Sequence, residues 1–121
     1  MPLIAKKGKN VIRQSDIIQA ILDADARTVS AIMATEPEAV NSLHEPSGMN
    51  AIMLAVSGRL DEIVDILANS AINYVDFGHY DHNGNNLLSV SLGTLNREMV
   101  DKIQSFYEAH ALHLINNWPE P

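Results

Sequence analysis

Two histidines, His79 and His82, stand three residues apart in the stretch DFGHYDHNGNN, residues 76–86, with Asp76 and Asp81 beside them. Imidazole nitrogens and carboxylate oxygens are zinc ligands, but zinc needs three or four of them in fixed geometry. His110 and His113 repeat the spacing further on, and no His-Glu-x-x-His helix accompanies either pair. The same stretch imitates the first half of a calcium loop, with Asp81, Asn83 and Gly84 at its third, fifth and sixth positions. Its first and twelfth positions fall on His79 and Val90, where carboxylates are needed to neutralise the ion. Nucleophilic chemistry has no anchor either. The chain has no cysteine, no Gly-x-Ser-x-Gly elbow, no phosphate loop and no dinucleotide fingerprint. Asp61 and Glu62 read as the solvated face of a helix. The expectation is a protein that is not an enzyme and uses no cofactor and no metal, its histidines exposed at a hairpin tip and in a C-terminal cap.

Composition sets the frame around that stretch. The 121 residues are 46% apolar and 19% charged, as in one soluble globular domain, and only 5% aromatic. Aliphatic mass with few aromatic residues favours packed helices over a β-sandwich. No run of about 18 apolar residues is present, so no membrane span is expected. The start, MPLIAKKGKN, lacks the long apolar segment of a secretory signal, and a cytoplasmic location is expected. Net charge is −7 and uneven: residues 1–15 carry Lys6, Lys7, Lys9 and Arg13 and no acid, and the rest has fifteen acids against four basic residues. A body that acidic repels phosphate backbones, so direct binding of nucleic acid is not expected.

The elements that would position the stretch emerge from an internal repeat. Ser47–Leu67 aligns with Asn83–Ile103 at an offset of 36 without a gap. Gly48 meets Gly84, Asn50 meets Asn86, and Glu62, Val64 and Asp65 meet Glu98, Val100 and Asp101. A fainter copy lies 35 residues earlier, with Ile17, Ala20, Val29 and Ile32 under Ile52, Ala55, Val64 and Leu67. Ser15, Asn50 and Asn86 share one slot, and all three are good helix N-caps. Each unit reads as a short helix that is apolar nearly all round, a tight turn, and an amphipathic second helix. Turn-rich connectors join the units. In the second connector NYVDF has strand character, and Asn83-Gly84 is a favoured hairpin pair.

This pattern resembles the ankyrin repeat family, whose units pair two helices with a hairpin at a period near this one. The stretch GMNAIMLAVSGRLDEIVDILANSA is the best copy. Gly48 stands for the opening glycine, Ile52 for the leucine, Ala55 for the first alanine, EIVDIL for the second helix and Ala71 for the closing alanine. Thr-Pro-Leu-His has become Asn-Ala-Ile-Met here and Asn-Asn-Leu-Leu in the next copy, so the repeats are degenerate. The resemblance implies an all-α helix-turn-helix repeat stack with hairpin connectors over residues 15–106, in units of about 15–46, 47–82 and 83–106. A basic N-terminal arm (1–14) and a C-terminal cap and tail (107–121) flank it. The stretch SFYEAHALHLINNW, 105–118, either extends the last helix or follows it, with Phe106, Leu112, Leu114 and Trp118 as the expected capping residues, and the tail is also a candidate homodimer contact.

The resemblance further implies a module that binds another protein through hairpin tips and a concave face. The matching positions are Met49, Ala51, Asn85 and Leu87, with Tyr74, Phe77, His79, Tyr80 and His82 in the connector. Tyr74, Phe77 and Tyr80 are three of the chain's five Phe and Tyr residues, and aromatic side chains on a protruding tip are candidate binding anchors. The alternative is that Tyr74 and Phe77 fold back to cover the end of the stack. One alternative is an acidic inhibitor or immunity-type antagonist of an enzyme or a nucleic-acid-binding protein. Another is a metal-dependent enzyme that uses the His79/His82 loop.

Overall fold

The computed structural model describes residues 15–116. Three side chains from one sequence slot start three helices in it. Ser15 Oγ accepts from the Ile18 N–H, Asn50 Oδ1 from Met53 and Asn86 Oδ1 from Ser89, at 3.5, 3.0 and 2.9 Å. Each cap residue is extended, so its side chain can turn back to an orphan donor of the first helical turn. The helices they open are α1 (Asp16–Leu22), α3 (Ala51–Ser57) and α5 (Leu87–Gly93).

A tight turn follows each and leads into α2 (Ala26–Thr35), α4 (Asp61–Ala71) and α6 (Arg97–Asn116). The turns also share one device. Ala24, Arg59 and Leu95 occupy equivalent positions and adopt φ of 54°, 55° and 56°. In the first two turns, the backbone N–H of that residue and of the next bond back to α1 or α3, Ala24 to Ile21 and Asp25 to Ala20, Arg59 to Val56 and Leu60 to Ala55. The left-handed residue lets the chain close these bonds and reverse direction. None of the three is glycine, so each turn carries a backbone cost that packing offsets.

The fold is all-α apart from a two-stranded antiparallel ribbon, β1 (Leu43–His44) with β2 (Met49–Asn50), in which Leu43 pairs with Asn50 and His44 with Met49. Within each unit the two helices pack together, and between units α1 packs on α3, α3 on α5 and α2 on α4. The central helix α3 is therefore enclosed: Ala51, Ile52, Met53, Ala55 and Val56 have no exposed surface. Around them lie Ile17, Ile18, Ile21, Val29, Val64, Leu67 and Ile103. The outer helices are less regular, for α4 and α6 stand further apart than α2 and α4. Lys102 spans that gap to Asp65 at 2.9 Å and to Asp61 at 4.0 Å.

Several expectations are corrected. NYVDF forms no strand. Tyr74 and Val75 instead donate to the Ala71 carbonyl and round off the end of α4. The ribbon forms in the first connector, after a 3-10 helix over Pro37–Asn41. Of the two arrangements open for SFYEAHALHLINNW, the structure shows the one that extends the last helix, for α6 runs unbroken to Asn116. Phe106 is buried, but Leu112 and Leu114 are exposed and cap nothing among the described residues. They lie on the part of α6 that continues past the point where Tyr107 meets the start of α5. Trp118 and the basic arm lie outside the described residues. No helix among them is long and apolar enough to cross a membrane.

Candidate functional site

The connector between α4 and α5, residues 72–86, is built from the inside by three anchors. Val75 is buried. Phe77 folds back onto α6, its ring 5.1 Å from Phe106, 4.9 Å and edge-on to Tyr107, and 4.1 Å and stacked on His110. Asp81 is buried, and its Oδ1 accepts from the Asn83 and Asn85 N–H groups at 2.9 and 2.8 Å. Its own N–H donates to the Asn85 carbonyl. Asp-x-Asn-Gly is the sequence that does this: a short carboxylate captures donors two and four residues on while Gly84, at φ 80°, lets the chain turn. The bonds to the carboxylate, led by that from Asn85, hold the Asp81 pKa below its ordinary value, against the opposing effect of burial.

Bonds to the preceding connector complete the frame. Asn41 donates to the Tyr74 carbonyl at 2.7 Å and accepts from the Asp76 N–H at 2.9 Å. His79 Nε2 donates to the Gly48 carbonyl at 2.6 Å. The His82 N–H donates to the Ser47 carbonyl at 2.9 Å, and its imidazole lies against the bare Cα of Gly48. The two connectors are thus tied edge to edge, and these bonds fix the conformation of the second.

The nine residues proposed from sequence fall into separate groups. Ala51 and Leu87 are buried against neighbouring helices and offer no side-chain surface. Phe77 is a packing residue rather than a displayed one, because α6 supplies an aromatic bed for it. Met49, Asn85 and His79 are half-buried, the last with its ring engaged by Gly48. Tyr74, Tyr80 and His82 remain exposed, with the two tyrosines showing 47% and 59% of their surface. Among the described residues no cluster of three His, Asp or Glu side chains could hold a metal ion. The histidine pair is instead divided between a carbonyl bond and glycine packing.

Sequence reasoning missed two features. Asn41, read as part of a turn-rich linker, is the clasp between connectors. An open groove of about 550 Å³ lies between α4 and α6, bordered by Asp61, Glu98, Asp101, Lys102 and Ser105. The Glu62–Glu98 and Asp65–Asp101 matches pointed to repeated acidic positions, but the groove depends on the spread of α4 from α6, which no local pattern encodes. Over the described residues the fold is mostly helical, three helical hairpins with one short β-ribbon and a connector packed from within by Phe77. Set against protein-family models, curated proteins and solved structures, the chain matches none.

Proposed function

We propose that this chain is a non-enzymatic protein-binding module of ankyrin-like construction, and that it holds its partner through the connector of residues 72–86. One observation carries the reading. The connector is pinned by Val75, Phe77 and Asp81 and clasped by Asn41, yet it displays Tyr74 and Tyr80 about half exposed. Tyrosines held in place by a rigid scaffold lose little side-chain entropy on binding, and interface hot spots are enriched in them. The equal spacing of caps and left-handed turns at 35 and 36 residues supports the ankyrin-like part of the reading.

Affinity capture with the full chain, comparing wild type with Tyr74→Ala/Tyr80→Ala, tests it. Loss of two hot-spot side chains, at about 2 kcal/mol each, lowers affinity by about a thousandfold. The partner retained by wild type should therefore be lost from the variant. Equal recovery by both would overturn the reading. Phe77 stays intact in this comparison, because its removal would unseat the connector itself.

A second reading, an acidic antagonist of a basic site, is favoured by the net charge of −7 and by the groove, whose border carries Asp61, Glu98 and Asp101 against Lys102 alone. Complex formation that weakens steeply with salt would select it, and salt-insensitive binding would remove it.

A further inference from the structure

The two ends of the helical stack differ in chemistry, and the repeat register shows how. The side of each unit that meets its successor is formed by Ile17 and Ile21 in α1 and by Ile52 and Val56 in α3, all buried under the next helix. Leu88 and Leu92 hold the same slots in α5, where nothing follows among the described residues, and they are 37% and 54% exposed. On the outer helix, Val64 and Ala71 are fully buried, while their counterparts Val100 and Tyr107 are only half-buried. The opposite side, which meets the preceding unit, shows Leu87 and Val90 in α5 and Ala51 and Leu54 in α3. In α1 those two slots hold Asp16 and Gln19, both exposed. Among the described residues, the N-terminal end of the stack is polar and the C-terminal end is apolar.

That asymmetry restricts what can cover the apolar end. Head-to-tail stacking of copies would bury Asp16 against Leu88 and Leu92, leaving a carboxylate desolvated and unpaired. Two apolar ends meet without that cost, since α5 contains no charged residue. The rim is self-complementary as well. Arg97, Asp101, Gln104 and Glu108 are exposed along one side of α6, and Arg97 and Glu108 are three turns apart. Within one chain Arg97 lies 3.6 Å from Asp101, an exposed ion pair of little strength that leaves the guanidinium open to a second carboxylate. Laid antiparallel on itself, this row sets Arg97 against Glu108 of the second copy and Asp101 against its Gln104. No like charges stand directly opposite each other in this row, which matters for a chain of net charge −7.

We infer that the chain forms a two-fold dimer through the exposed face of α5 and α6, with Leu88 and Leu92 of one copy packed antiparallel on those of the other and Arg97 paired with Glu108 at both rims. The contact is isologous and therefore closed, so it stops at two copies. It does not depend on what Tyr74 and Tyr80 engage.

Light scattering on the size-separated full chain, at tens of micromolar, tests the inference. Wild type should show twice the chain mass of 13.3 kDa. Leu88→Asp/Leu92→Asp, which alters only exposed positions, should show a single chain with unchanged helical circular dichroism. Arg97→Glu and Glu108→Arg should each raise the dimer dissociation constant by about tenfold or more, and the double swap Arg97→Glu/Glu108→Arg should restore it. A wild-type monomer, a dimer that survives Leu88→Asp/Leu92→Asp, or a double swap without recovery would overturn the inference.

Discussion

Gly48 and Gly84 occupy the same repeat position and the same left-handed backbone, φ 75° and 80°, yet their surroundings differ. A side chain added at Gly84 meets open space, whereas one at Gly48 overlaps the His82 imidazole. Gly84→Ala should cost about 1–2 kcal/mol from backbone strain alone. Gly48→Ala should cost more, and the excess should vanish when His82 is also replaced by alanine, as denaturant melts of the four chains would show. Asp81 gives a pH signature. Its folded pKa lies below the ordinary 3.8, so its contribution to stability is present above that value and fades as pH falls through the lowered one. The melting-temperature gap between wild type and Asp81→Ala should therefore be widest near neutrality and narrow below pH 3.8. The glycine and cap positions were legible because they recur. The contact of His82 with Gly48 was not, because it joins two connectors that are distant in sequence and leaves no periodic trace.

Helices and turns form the next scale. Asn50 and Asn86 both cap helices, but Asn50 is 2% exposed at the centre of the stack and Asn86 lies nearer its open end. An exposed N–H that loses its cap can turn to water, and a buried one cannot. Asn50→Ala should cost about 2 kcal/mol and Asn86→Ala about 1 kcal/mol or less, measured by thermal or denaturant unfolding. The three helix pairs could be read from caps, apolar spacing and offset. The second connector and the end of α6 could not. The strand expected at NYVDF lost to the closing turn of α4, since Val75 gains more from burial at the end of that helix than from an unpaired strand. Whether residues 107–116 extend the last helix or follow it was left open by the sequence, because they lie beyond the repeat; the structure shows them as the end of α6. The left-handed turns were hidden for a related reason: Ala24, Arg59 and Leu95 adopt a backbone that glycine would have announced.

At the scale of the whole molecule, stacking turns equivalent sequence positions into unlike surfaces. Ile52 and Leu88 are interchangeable in the alignment, and only the order of units makes one core and the other surface. The same logic sorted the candidate site. Tyr74 and Phe77 could each be read as displayed or folded back, but α6 draws only Phe77 inward, through Phe106, Tyr107 and His110, and leaves Tyr74 outside with Tyr80. Recognition of a partner by that tyrosine pair is the central claim. Its most direct measurement places a photo-crosslinking amino acid at Tyr74, at Tyr80 or, as an exposed control, at Leu22, in the full chain held in native lysate. The account predicts a discrete heavier adduct from positions 74 and 80 and none from position 22. Adducts at all three positions alike, or at position 22 alone, would contradict it.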